Sequence, residues 1–153
     1  MKGSKDFVAI LQVTSPTIDG PSFLATHPEL KSYDAWRPGD VHVGRRKHED
    51  GGFKLDLASG SKWETVVGKI IDAVSRIAPA LRAARSAGAA LFLDVGVMAD
   101  AREWGVVNTC FSPEELAVLS KLGIQLNVSS FLAVRIERPA TRARKTKRPK
   151  LAS

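Results

Sequence analysis

The chain has 153 residues, 44% of them hydrophobic and 25% charged, a composition that suits one folded domain and excludes a chain too polar to build a core. Its formal net charge of +7 resides in residues 138–153, where Arg138, Arg142, Arg144, Lys145, Lys147, Arg148 and Lys150 stand without an acid; residues 1–137 balance 16 Lys and Arg against 16 Asp and Glu, so the body is not a net-basic nucleic-acid module. A single cysteine, Cys110, excludes an intramolecular disulfide and a cysteine-built metal site, and fits a reducing compartment.

The chain opens Met-Lys-Gly-Ser-Lys-Asp, and no signal-peptide apolar run follows. The longest apolar stretch, 87–99, is broken by Asp94 and is too short to span a bilayer. The expectation is a cytoplasmic protein without a membrane partner. Residues 7–14 are rich in β-branched side chains and apolar on both faces, which predicts a central strand covered on each side. Ser15-Pro16 ends it. Asp19-Gly20-Pro21 then predicts a short helix with Phe23 and Leu24 turned inward, closed by His27-Pro28.

Arg37-Pro38-Gly39-Asp40 has Pro and Gly at the central positions of a type II turn. Two strands are predicted next, over 41–47 and 53–58, joined by a loop ending Glu49-Asp50-Gly51-Gly52. Phe53, Leu55 and Leu57 share one face of the second, and Lys54 and Asp56 the other. Ser61 and Glu64 have capping-box spacing ahead of a long amphipathic pattern running from Trp63 through Val66, Val67, Ile70 and Val74 to Leu81. Pro79 predicts a kink or restart in that helix, and Gly88 its end.

A strand over 89–98 follows, then a loop containing Trp104, and Val106-Val107. Ser112-Pro113-Glu114-Glu115 is a second capping box, opening a helix that closes near Leu122-Gly123. Residues 124–137 alternate without a slip, Ile124, Leu126 and Val128 on one face, Gln125, Asn127, Ser129 and Phe131 on the other. The wet face predicts an antiparallel sheet covered on one side. The element order predicts an α+β fold: a single-domain sandwich over 1–137, its largely antiparallel sheet carrying helices mainly on one face. Residues 138–153, with Pro, Thr and basic residues but no apolar period, are expected to be a disordered tail.

The order Trp36-Arg37-Pro38-Gly39-Asp40, a basic stretch, Gly51-Gly52-Phe53-Lys54-Leu55, a long helix, a strand, Phe111-Ser112-Pro113-Glu114-Glu115-Leu116 and a closing alternating strand resembles the bacterial domain-of-unknown-function family 4279. The resemblance covers roughly residues 6–135 and departs where that family often has Trp and this chain has Phe53, and in an aromatic residue near the end of the last strand. It implies a small bacterial α+β domain and carries over no catalytic residue. Trp36, Gly39 and Asp40 are matched positions without an assigned role.

Trp36, Arg37, Asp40, His42, Arg45 and Arg46 form the candidate binding loop. A Trp beside a tight turn is either a binding anchor or a packing residue that fixes the loop, and packing is the expectation here. His42 and His48 do not have the spacing of metal ligands on a helix, although across a hairpin they could face each other; a solvated loop is expected. Arg45-Arg46-Lys47 could meet phosphate, with Glu49 and Asp50 offsetting much of its charge. Asp94 is expected to face water or a cross-strand base, and Cys110 to be packed as a small apolar residue. No nucleophile elbow, HExxH, P-loop or dinucleotide fingerprint is present.

The leading functional expectation is therefore a non-enzymatic protein-interaction module with an unknown protein partner, no cofactor and no metal. One alternative is weak, non-specific nucleic-acid association through Arg142, Arg144, Lys145, Lys147, Arg148 and Lys150. The other is an enzyme using the loop from Trp36 to Asp50. If about five tail residues engage duplex DNA, log affinity should fall against log salt with a slope of about −4 to −5. A titration across salt concentrations, with the full chain and a chain ending at Glu137, checks it: binding must ignore sequence and vanish with the tail.

Overall fold

The structure, a computed structural model, describes residues 6–42, 44, 46–100 and 108–133, the last two residues of each of the latter segments as backbone only. Nine elements follow in order: β1 (Phe7–Ser15), α1 (Gly20–Thr26), β2 (Ser32–Trp36), β3 (Gly51–Gly60), α2 (Trp63–Arg76), α3 (Ala78–Ser86), β4 (Ala90–Asp100), α4 (Pro113–Lys121) and β5 (Ile124–Ala133). The strands form one sheet in the order β2-β3-β1-β4-β5. Three of its pairings are antiparallel and β4–β5 is parallel. This is an α+β fold with an open, largely antiparallel sheet.

β1 lies in the middle and sets the two faces. Phe7, Ala9, Leu11 and Val13 are buried and stand opposite Val97, Val95, Leu93 and Leu91 of β4. Leu55 and Phe53 of β3 join the same face from the other side, and Ile124 extends it onto β5. The helices supply the lid: Val66, Ile70 and Val74 of α2, Leu81 and Ala84 of α3, Leu119 of α4, and the partly buried Phe23 and Leu24 of α1. Every helix thus packs on one side of the sheet. The crossover α2–α3 carries the chain from β3 over β1 to β4, which is why β3 and β4 both run antiparallel to the strand between them.

Trp63 joins three parts of the core. Its ring meets Phe7 at 5.5 Å and the edge of Phe111 at 5.1 Å, and its Nε1 donates to the Cys110 carbonyl at 2.8 Å. The buried indole N–H is thereby satisfied. The expected capping box at Ser112 is present: Ser112 Oγ accepts from Glu115 N at 3.2 Å and Glu115 Oε2 accepts from Ser112 N at 2.7 Å. The expected restart at Pro79 is also present, because α2 ends at Arg76 and α3 begins at Ala78.

Five expectations are corrected. Ser61 does not cap α2; the cap is Lys62, without a side-chain hydrogen bond, and burial of Trp63 in the first turn sets the start instead. No strand spans 41–47: within it only Val41 and Lys47 form a bridge, and the strand of the sheet is β2, just before the turn. β1 is not covered on both faces, since Val8, Ile10, Gln12 and Thr14 are only half-buried. β5 runs parallel to β4, because the α4 crossover returns the chain in the same direction; alternation reports which face is covered, not strand direction. Cys110 is exposed rather than packed. Trp104, Val106, Val107 and residues 134–153, including the whole basic tail, lie outside the described residues.

Backbone crowding is greatest where α1 starts over β3. A Cβ at Gly20 would strike the Gly52 carbonyl and lie 2.8 Å from the Trp36 carbonyl. Gly68, on the exposed side of α2, has nothing within 4 Å of such a Cβ. Gly20→Ala should therefore lower unfolding stability by about 1–3 kcal/mol through overpacking, and Gly68→Ala should raise it by about 0.5–1 kcal/mol through helix propensity. Urea unfolding midpoints of the two variants check both signs.

Candidate functional site

The site is built on the sheet face that none of the described helices covers. Asp34 and Trp36 of β2 stand opposite Lys54 and Gly52 of β3, which in turn stand opposite Gln12 and Thr14 of β1. Those side chains point away from the core face of Phe53 and Leu55. Trp36 is nevertheless only 5% exposed, and it is not part of the main core cluster. Its ring lies against Gly52, where a Cβ would meet the indole Cζ2 at 2.8 Å. Lys54 Nζ sits 5.8 Å from the ring centroid and 4.0 Å from Asp34 Oδ2.

The remaining cover is a ribbon-like loop in which residues 39–42 and 46–48 run antiparallel around a single bridge, Val41 to Lys47. Gly39, at φ +88°, takes the left-handed position of the turn that the Pro-Gly pair predicts. Asp40 N donates to the Arg37 carbonyl at 3.1 Å, and Arg37 N donates to Asp40 Oδ2 at 2.7 Å. Beyond the turn, Gly39 N donates to the His48 carbonyl at 2.7 Å, His48 N to the Asp40 carbonyl at 2.9 Å, and His42 N to the Arg46 carbonyl at 2.6 Å. This pairing makes His42 and His48 diagonal neighbours on one side of the ribbon, with ring centroids 4.6 Å apart. His48 also stacks on Trp36 at 5.0 Å, with planes 23° apart. Trp36 Nε1 donates to Asp50 Oδ1 over a long 3.5 Å.

Between the ribbon and β2 a cleft of about 630 Å³ opens to solvent. Asp34, Ala35, Trp36, Asp40, Val41, His42, His48 and Lys54 line it. Val41 is 71% exposed. Of the residues singled out from sequence, Trp36, Asp40 and His42 meet here, joined by His48. Arg37 does not. Its Nε donates to Asp19 Oδ2 at 2.7 Å, tying the base of the ribbon to the start of α1. Arg46 is exposed and enters the pairing through its carbonyl, and Arg45 lies outside the described residues.

Asp19 is held below the usual carboxylate range, first by the Ser22 backbone N–H that it caps at 2.9 Å, and also by the Arg37 guanidinium. A lowered carboxyl pKa contributes stability above the unfolded value and loses it as pH falls through the folded one. The ribbon anchor is therefore intact at neutral pH and weakens only in acid.

Asp34 and Lys54 were not singled out from sequence. β2 is a five-residue strand without a long alternating pattern, and Lys54 reads as one solvated position among others. A stronger signal was available in Tyr33-Asp34-Ala35-Trp36 directly before a turn, two β-formers flanking an acid. Asp94, also on the uncovered face, accepts from Asn127 Nδ2 at 3.0 Å and Ser129 Oγ at 3.1 Å, so its partners are an amide and a hydroxyl rather than a base. Among the described residues no group of three or more His, Cys, Asp or Glu is placed to hold a metal ion. No protein-family model, curated protein or solved structure matches the chain.

The buried indole under the ribbon sets a quantitative expectation. Trp36→Ala should cost about 3 kcal/mol, the lower end for a large aromatic truncation, because the ring belongs to a satellite cluster and the main core stays closed. Chemical denaturation measures the loss, and amide exchange should show it concentrated in residues 37–50.

Proposed function

We propose that the protein is a non-enzymatic binding module that engages a protein partner through the cleft between β2 and the 37–50 ribbon. The observation that carries this reading is the packing of Trp36. A ribbon is folded over an indole outside the core, and the result is a shaped opening rather than a closed layer. Its lining suits a polypeptide surface. Val41 offers apolar area, the imidazoles offer flat polar rings, and Asp34, Asp40 and Lys54 offer charges of both signs. Two carboxylates at the mouth disfavour a polyanion, so this face is a poor seat for nucleic acid. Association of nucleic acid with the tail remains a separate reading that rests on sequence alone. The resemblance to family 4279 agrees with a small bacterial cytoplasmic domain and adds no activity.

The meeting of His42, His48 and Asp40 in one cleft favours a second reading, an enzyme using proton transfer. Among the described residues the cleft lining contains no Ser, Thr, Cys or Tyr, so such an enzyme would draw on the imidazoles, the carboxylates and Lys54.

Val41→Glu separates these readings. It adds a third carboxylate at an exposed position and should change stability by no more than about 0.5 kcal/mol. Affinity capture from cells, followed by measurement with the purified partner, should show a defined partner bound by the native chain and at least about tenfold weaker binding by the variant. A partner whose affinity is unchanged by both Val41→Glu and His42→Asp would bind elsewhere, and the cleft reading would be wrong. Turnover of a metabolite lost in His48→Gln would establish the enzyme.

A further inference from the structure

The two edges of the sheet are treated differently. β2 has five residues, an irregular register between Ser32 and Asp34, and a side-chain hydroxyl, Ser32 Oγ, donating to the carbonyls of Asp34 and Lys54. It carries the charge of Asp34, and the ribbon stands beside it. These are the devices by which edge strands avoid pairing with another chain. Among the described residues β5 has none of them. It runs for ten residues, Ile124–Ala133, with no charged residue, no proline and no glycine. Its pairing with β4 is regular along its length. Among the described residues nothing pairs with its outer edge.

Exposed apolar side chains gather on the same margin. Among the described residues six large hydrophobic side chains are exposed: Tyr33, Val41, Met98, Leu116, Val128 and Phe131. Val128 and Phe131 lie on β5, Met98 stands opposite Phe131 on β4, and Leu116 is on α4, the helix that packs on β5. Val128 is on the helix side and Phe131 on the uncovered side, so each flank of the edge carries one exposed apolar side chain among polar ones.

We propose that β5 pairs antiparallel with β5 of a second copy of this chain, forming a two-fold dimer with a continuous ten-stranded sheet. A bare strand edge offers alternating N–H and C=O groups, so its occupant is another extended backbone. The choice of a second copy follows from charge. A strand without charges can lie against itself with no like-charge repulsion, which a self-complementary two-fold interface requires. The side-chain faces fix the register. With Val128 opposite its own symmetry mate, Leu126 stands opposite Ser130, Asn127 opposite Ser129 and Gln125 opposite Phe131. The exposed valine is then covered at the centre, and Leu116 can approach from each α4. This proposal does not depend on the cleft, which lies at the opposite edge of the sheet.

The full chain should sediment as a dimer at micromolar concentration. Val128→Lys places two ammonium groups face to face on the symmetry axis and should weaken dimerisation by about tenfold or more. Circular dichroism should show the variant folded, because Val128 is 46% exposed in the single chain. Register is read separately. In a Cys110→Ser background, Val128→Cys should form an interchain disulfide on mild oxidation, since facing residues of an antiparallel pair lie within disulfide reach. Tyr33→Cys, on the far edge, should not. A full chain that stays monomeric up to about 100 μM, well above the micromolar Kd of a weak specific interface, would overturn the proposal. So would a dimer that Val128→Lys leaves intact. A full chain that stays monomeric while the chain ending at Glu137 dimerises would show that residues 138–153 block the pairing, and would overturn it equally.

Discussion

The fold depends on the sheet having one covered face. β1, at the centre, presents Phe7, Ala9, Leu11 and Val13 to a single layer of helices, and β3, β4 and β5 align their apolar positions to it. Burying these side chains is the dominant favourable term. It fixes strand register, because a slip of one residue would turn the apolar set outward. With the four described helices committed to that face, the described cover of the other comes from strands and loops. Gln12, Thr14, Lys54, Asp94 and Gly96 stand there beside the half-buried Val8, Ile10 and Phe92 and the exposed Met98 and Phe131. Trp36, by contrast, is buried there.

An indole on an uncovered face needs its own cover. The chain supplies it directly after β2, through a Pro-Gly turn and a ribbon that brings His48 onto the ring. The turn is stabilised by Asp40 and its base is held by the Arg37–Asp19 pair. A loop that is conformationally dependent on one aromatic ring is a different object from a solvated loop. It holds His42 and His48 in a fixed relation to Asp34 and Lys54 of the sheet around a cleft, and a fixed arrangement is the precondition for specific recognition. The same dependence sets a constraint on substitution: a change at Trp36 disturbs packing and cleft together, whereas a change at the exposed Val41 side chain acts on the opening.

The sheet margins extend this division of labour. The margin beside the cleft is short, irregular and charged, and so is protected against strand addition. The far margin, β5, is long, regular and uncharged. Placing recognition at one edge and self-association at the other would leave both copies of the cleft facing outward in a dimer. Each copy could then meet its partner independently, and a partner with two binding segments would gain avidity.

The alternation of 53–57, the long helical pattern from Trp63, the break at Pro79, the capping box at Ser112 and the alternation from Ile124 are local signals, and each of those elements forms. The Pro-Gly turn is local too, and Gly39 adopts it. Trp36, Asp40 and His42 were legible as a cluster because they are close in the chain. What sequence did not disclose is relational. β2 was hidden because five residues hold too few alternations to announce a strand, and its partner β3 is what makes it one. The parallel direction of β5 depends on a crossover rather than on side-chain pattern. Lys54 and Asp34 join the cleft through sheet register, which no spacing in the chain encodes. Periodicity and turn chemistry act over a few residues and are written in the sequence. The facing of His42 and His48 across the ribbon, the burial of Trp36 on the uncovered face and the place of β5 at the margin of the described sheet arise only when distant segments pack, because they depend on which surfaces the helices have already taken.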